Sequence, residues 1–593
     1  MTEKKTISLE TGLYLLALAL GLAFRLIGLG SLPFNETEAS WAWQAYQVSG
    51  SEPVLIGSQP AYVMLTSLVF TLFASSEALA RMLPAFFGGM VVLLPLVFRE
   101  EIGRKAALVA AFGLALDPMM VALSRQVGSP MMAVGFTVLA LLFWKRAKPG
   151  FAGVFAALLL LSGLPAVTLI LGLVVTIALL VISGFRRPWG EQRPERIKPF
   201  LIGGGLTFFV LGTLWMRYPQ GLSAMMQAIP DYLAGWMPSS LTFRQAPWLR
   251  VVAALPLYQP IGLLFGFVAV MKNKTWEEDS KRFLALFVVV VMALILAYPS
   301  RQTADLAWAL PVIWLLAGIE LAPLMGPVEK KDRLIVWGQA ITILAMLSFW
   351  WARIISATRI YYVNIPEGFI LRDFVSLDYA TKDYLISMVI FVVVPLTIAV
   401  LAIIVITSWS KQLALQGFLR GLGIFAIFYV VMVLFGIDDL RRRQANELWS
   451  PVMSPGYADD LRDALAELSE PSVGNRDELE VVYTLDMALL HWQLRDMPNA
   501  RYAAVITPDE SPAVIIDDLS SVEEMNASGS YRGEKIALQL FRSWGDRILP
   551  QDFDRWFVFR EAPVEKQWVV VWAREDIFTG FQDIKTSTGE PVE

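Results

Sequence analysis

The run Phe34-Asn35-Glu36-Thr37-Glu38-Ala39 sets two carboxylates in the loop after the first hydrophobic span, about ten residues past Arg25. Carboxylates placed where a membrane helix gives way to water stay ionised and still reach a lipid-borne substrate, so Glu38 and Glu36 are candidates for taking a proton from an acceptor hydroxyl. Conformation decides whether they act together: two positions apart they diverge on a helix and share a face in an extended segment. A structural reading stands beside the catalytic one. Asn35 followed three positions later by Glu38 has capping-box spacing, and Trp41, Ala42 and Ala45 supply the helix to be capped. Pairing of Glu38 with the deeper Arg25 is a further option.

Arg81, Arg125 and Arg301 each fall at one end of a hydrophobic run, where a guanidinium can grip a phosphate through two parallel hydrogen bonds in partly dry surroundings. Snorkelling, or ion pairs with Glu36, Glu38, Asp117 or Asp305, would use the same residues structurally. Trp41, Trp43, Tyr46, Tyr62, Trp236 and Trp248 fit an interfacial aromatic belt, and such rings also stack on sugars.

The elements that carry these residues are membrane helices. Of 593 residues 56% are hydrophobic, and the mean hydropathy of +0.55 is far too high for a soluble globular chain. Runs at 11–28, 82–98, 106–123, 130–144, 151–164, 166–184, 199–216, 251–271, 283–299, 307–325, 335–351, 385–408 and 417–436 give about thirteen crossings. The run 61–74 is a turn or two short and starts at Gln59-Pro60, which suits a helix lying in the interface. Lys4, Lys5, Arg104, Lys105, Lys145, Arg146, Lys148, Arg186, Arg187, Arg193, Arg196 and Lys198 fall on one side of this alternation, continued by Lys272 to Arg282, Lys330 to Arg333 and Lys411. That side is expected to be cytoplasmic, with the N-terminus there and residues 29–81, 217–250, 352–384 and everything past 436 outside. The first run lacks a small-residue cleavage site and is expected to stay as a signal anchor.

Zero cysteines exclude disulfides, thiolate nucleophiles and Cys metal sites, and the lone His491 leaves no His-rich metal centre. His491 is expected at the surface or in packing. The net charge of −4 conceals a split, with roughly 30 acidic against roughly 16 basic residues from Ile437 onward. No concentrated basic face supports nucleic-acid binding. Gly203-Gly204-Gly205 lacks the strand and Lys of a phosphate loop and reads as close helix packing.

Composition changes after Asp438-Asp439 and Arg441-Arg442-Arg443, a stretch expected to be a solvated hinge or a lipid-phosphate contact. The chain therefore divides into a transmembrane domain, 1–436, and an extracytoplasmic α/β domain, 437–593. In the latter, 459–468 reads as a helix and 480–485, 503–507, 513–516, 536–541 and 568–573 as strands.

Phe24-Arg25-Leu26-Ile27-Gly28-Leu29, Asn35-Glu36-Thr37-Glu38-Ala39, Gln59-Pro60-Ala61-Tyr62 and Ala80-Arg81-Met82-Leu83-Pro84-Ala85, followed by Asp117-Pro118 and Ser124-Arg125, form an ordered set. This set resembles the GT-C membrane glycosyltransferases, specifically the protein O-mannosyltransferase-like group and its bacterial relatives with a C-terminal extracytoplasmic domain. The resemblance implies an all-α polytopic membrane protein with a small outer α/β domain, in the plasma or inner membrane. It also implies sugar transfer from a polyprenyl-phosphate donor to a glycan, lipid or protein acceptor outside; Glu38 or Glu36 is then expected as base, with Arg25, Arg81, Asp117 and Arg125, and by its position Arg301, binding substrate.

Two positions depart from the family pattern. Thr37 stands where the family places an Asp, so only Glu38 and the offset Glu36 offer a base. After Ser124-Arg125, the segment Gln126-Val127-Gly128-Ser129-Pro130 lacks the acid common in relatives, leaving Asp117 as the nearby substitute, so no cofactor and no metal site is expected. The same departures support an alternative: a catalytically degenerate GT-C protein that binds lipid-linked glycans or assists their flipping or assembly. A transporter would show more charged midplane residues than Arg25.

Overall fold

The computed structural model describes residues 8–184, 194–237, 246–360, 371–437, 447–448, 452–453, 457–519, 527–543 and 547–578. Each expected crossing has a helix. Among the described residues seven helices are long and apolar enough to cross a membrane, and two bent pairs, Arg104–Leu116 with Pro118–Ser124 and Trp248–Tyr258 with Pro260–Met271, raise this to nine. The other four, Met131–Lys145, Pro149–Leu160, Ile197–Gly212 and Leu310–Leu324, are apolar but shorter. The segment expected in the interface is the 14-residue helix Pro60–Phe73.

Both bends follow from proline, which lacks an N–H and drives the preceding residue out of the helical region. Asp117 before Pro118 has ψ 115° and starts a new helix with its own side chain, which accepts from the Met120 N–H; the pair is bent by 55°. Gln259 before Pro260 has φ −138° and ψ 50°, and the chain turns by 105°. The run 251–271, expected as one straight crossing, is thus two helices meeting at a sharp angle. Glycine packing is as expected at Gly203: a Cβ there would lie 2.2 Å from the Gly150 carbonyl oxygen, so the two helices meet backbone to backbone.

The C-terminal part is a six-stranded sheet of order β1-β5-β6-β4-β2-β3, with β1 Val452–Met453, β2 Val481–Tyr483, β3 Ala500–Tyr502, β4 Val514–Asp518, β5 Tyr531–Arg542 and β6 Val564–Arg574. Strand β2 pairs in parallel with β3 and β4, while β5 and β6 form a long antiparallel pair. The helix Tyr457–Val473 covers the expected 459–468. The strand expected at 503–507 lies earlier, at β3, where Ala500, Arg501 and Tyr502 pair with Val481, Val482 and Tyr483 of β2. Two short helices, Ala488–Gln493 and Phe553–Phe559, have no counterpart in the sequence expectations. The 436/437 boundary, Arg186, Arg187, Arg193 and the Arg441 to Arg443 run border or lie in segments outside the described residues.

An apolar core crosses between the two parts. It joins Phe34, Ala39, Ala42 and Ala45 of the first loop to Leu461, Val481, Trp492 and Val514 of the sheet domain. Glu36 and Glu38, on the helix that carries Ala39, Ala42 and Ala45, therefore lie beside the sheet domain.

Candidate functional site

Asn35 ends the first loop and caps the helix Glu36–Gly50. Its side chain accepts from the Glu38 N–H at 2.9 Å and the Glu38 side chain reaches back to the Asn35 N–H at 3.5 Å, completing the capping box that the spacing predicts. Being helical, the segment sends Glu36 and Glu38 in different directions.

Glu38 turns inward, 5% exposed, and its partner is Arg81 rather than Arg25. Arg81 Nε donates to Oε1 at 2.9 Å and Nη2 to Oε2 at 2.7 Å, and the Val127 N–H adds a third bond to Oε1 at 3.1 Å. The remaining donors of Arg81 reach the carbonyls of Leu29, Leu32 and Pro33, and its guanidinium lies 4.8 Å from the Phe34 ring centre. One ion pair thus ties together the first loop, the helix Glu77–Gly89 and the Gln126 to Pro130 segment. The long Asn35 contact is the weakest bond on this carboxylate.

Glu36 turns the other way, into the sheet domain. Its two oxygens accept from the backbone N–H groups of Ala488 at 2.7 Å and Leu489 at 3.1 Å, the first turn of the helix Ala488–Gln493. A carboxylate on these orphan N–H groups is a favourable charge-assisted arrangement. The same helix inserts Trp492, fully buried, against Phe34, Tyr46 and Phe70. His491 packs as well: its ring stacks on Trp43 at 5.5 Å and bonds the Tyr483 hydroxyl and Asp486. Arg495 covers Trp492 at 4.0 Å and donates to Ser75 Oγ.

Arg25 and Arg125 are built into the framework. Arg25, fully buried, donates to the carbonyls of Gly21, Leu114 and Ala115 and to Ser124 Oγ. Arg125 donates to the carbonyls of Phe24, Arg25, Ile27 and Gly28, closing the end of the helix Leu9–Leu26. Asp117, besides capping its helix, accepts from the Trp314 indole N–H at 2.7 Å.

Arg301 differs from the others. It sits before the 3-10 turn Thr303–Trp308, its one side-chain bond is a 3.5 Å contact to the Pro299 carbonyl, and its buried Nε has no partner among the described residues. Four residues on, Asp305 accepts from the Gln302 N–H, and burial pushes its carboxyl up to about 6.

Sequence reasoning missed the polar knot at the sharp bend. Tyr258 donates to Glu447 and accepts from the Leu448 N–H, Thr303 donates to the Leu448 carbonyl, and Arg560 approaches Glu447 at 3.7 Å and the Tyr258 ring at 5.2 Å. Arg560 follows the helix Phe553–Phe559, whose Phe557 packs on Trp351 and Tyr429. The only signal in the sequence is the aromatic density of 553–559, which has no helical periodicity long enough to read.

No protein-family model and no curated protein sequence matches the chain. Among solved structures, the crystal structure of ArnT from Cupriavidus metallidurans in the apo state aligns over 96% of this chain and 99% of that one, at 14% identity and a TM-score of 0.52. The same protein bound to undecaprenyl phosphate aligns over the same shares at 15% identity and a TM-score of 0.53. The likeness runs through both the helical part and the sheet domain, and at this identity it concerns the fold. The chain is a multi-pass membrane protein with the GT-C glycosyltransferase fold.

Proposed function

We propose that this protein transfers a sugar from a polyprenyl-phosphate-linked donor to an acceptor on the extracytoplasmic side of the plasma or inner membrane. The observation that carries this reading is the end-to-end likeness to a structure holding undecaprenyl phosphate, set beside a guanidinium, Arg301, that lacks a carboxylate partner among the described residues. Basic residues at the opposite ends of the helices support the orientation.

In the proposed reaction an acceptor O–H attacks the anomeric carbon, the new C–O bond forms, and the bond to the phosphate oxygen breaks. The electron pair leaves on polyprenyl phosphate, where Arg301 would neutralise it. Glu38 would take the acceptor proton at Oε2, the oxygen whose bond to the Asn35 N–H is long enough to be replaced. Arg81 holds that carboxylate fixed in direction through its two hydrogen bonds. Incubating the purified protein with radiolabelled polyprenyl-phosphate sugars and measuring release of the lipid phosphate tests the proposal.

A second reading is favoured by a specific observation: both oxygens of Glu36 and both of Glu38 accept hydrogen bonds from the protein, and Thr37 offers no base. Under it the chain binds lipid-linked glycans without turning them over. Donor that co-purifies and remains intact would support it.

A further inference from the structure

We infer that the C-terminal sheet domain is the positioning element of the first loop, and that Glu36 is its positioning residue rather than an acid-base group. This rests on the sugar-transfer reading only for what the loop is positioned to do.

The joint between the two parts is composite. Glu36 holds the Ala488 and Leu489 N–H groups across more than 450 positions of sequence, Trp43 stacks on His491 with an interplanar angle of 13°, and Trp492 fills the space behind Phe34. Arg495 then bonds Ser75, next to the helix Glu77–Gly89 that carries Arg81. Phe34 links the arrangement, because its ring lies 5.0 Å from the Trp492 ring and 4.8 Å from the Arg81 guanidinium. Moving the helix Ala488–Gln493 therefore moves the ring on which Arg81 rests, and with it the carboxylate of Glu38. An acid-base role does not suit Glu36, whose two oxygens are committed to backbone donors; a carboxylate in that setting acts as a fixed anionic cap.

The chain has no cysteine, so thiols introduced for cross-linking are the only ones present. Cysteines at Thr37 and Asp486, exposed neighbours of Glu36 and of the short helix, are treated with bifunctional thiol reagents of graded length, and the shortest that bridges them in the double-cysteine protein with Glu36 intact reports the docked state. The comparison uses full-length protein with Glu36→Ala, Glu36→Gln and no further change, and a second measurement, binding of undecaprenyl phosphate. Removing two charge-assisted bonds shifts a docking equilibrium by about 10-fold or more. Glu36→Ala is expected to lower cross-linking and to weaken undecaprenyl phosphate binding together, while Glu36→Gln, whose one amide oxygen can accept from only one of the two N–H groups, recovers part of both. Wild-type cross-linking in Glu36→Ala would overturn the assignment of Glu36. Lost cross-linking with undecaprenyl phosphate affinity unchanged would overturn the positioning role. Absence of undecaprenyl phosphate binding by the wild-type protein would instead contradict the sugar-transfer reading, and the cross-linking arm would still decide whether Glu36 holds the joint.

Discussion

Arg81 and Glu38 meet through two parallel hydrogen bonds of 2.9 and 2.7 Å, with both side chains 6% exposed. A buried charge that loses its partner is costly, about 3–5 kcal/mol, whereas removal of both charges is often neutral. Arg81→Met is therefore expected to lower the unfolding midpoint strongly, and Glu38→Gln combined with Arg81→Met to recover most of it. Arg81→Lys should fare nearly as badly as Arg81→Met, because an ammonium cannot reproduce the fork or reach the three loop carbonyls. Thermal unfolding in detergent measures all three.

Trp492 joins the two parts by packing alone, and its ring is fully buried. Trp492→Ala removes an aromatic side chain from a core, which costs about 3–5 kcal/mol. Because that core is shared, the loss should appear in both halves. Limited proteolysis is expected to cut the first loop and the sheet domain at similar rates in the variant; new cleavage confined to the sheet domain would show that the core is not shared.

Asp305 lies outside the membrane-spanning helices, and burial pushes its carboxyl up to about 6 from an ordinary value of 3.8. A carboxyl raised by folding favours the folded state while protonated, so this contribution is full below about 4 and is lost as pH rises through about 6. Unfolding midpoints of the wild type relative to Asp305→Asn should therefore fall between these two pH values. A flat difference across that range would contradict the raised carboxyl of Asp305.

Arg125 and Arg301 were equivalent candidates by position, and the structure separates them. Arg125→Ala removes donors from four carbonyls at one helix end and should destabilise the protein by about 1–3 kcal/mol. Arg301→Ala removes one long contact, so its unfolding midpoint should stay within a degree or two while undecaprenyl phosphate binding weakens about 10-fold or more. Titration with that lipid, beside unfolding curves, distinguishes the two roles.

Much of this was legible in the sequence. Hydropathy located a helix for every crossing, and the capping box at Asn35 and Glu38 was visible as a spacing because N-terminal caps depend on local chemistry. Partner choice was not, since it depends on tertiary geometry: Glu38 takes Arg81, 43 positions away, rather than Arg25, and Glu36 takes backbone groups in another domain. The sharp turn at Gln259-Pro260 was hidden because apolar residues continue across it, and hydropathy averages over a single proline. The helix Ala488–Gln493 escaped notice because six residues hold less than two turns of pattern.

The most direct test of the account is turnover by the purified full-length protein with a panel of radiolabelled polyprenyl-phosphate sugars, compared with Glu38→Gln. The wild type is expected to release polyprenyl phosphate, and Glu38→Gln, assayed at a temperature where its unfolding curve shows it folded, to slow release by about 100-fold or more, the typical worth of a general base. No release from any donor, with bound lipid-linked sugar recovered intact from both proteins, would contradict catalysis and leave glycan-lipid binding as the function of this fold.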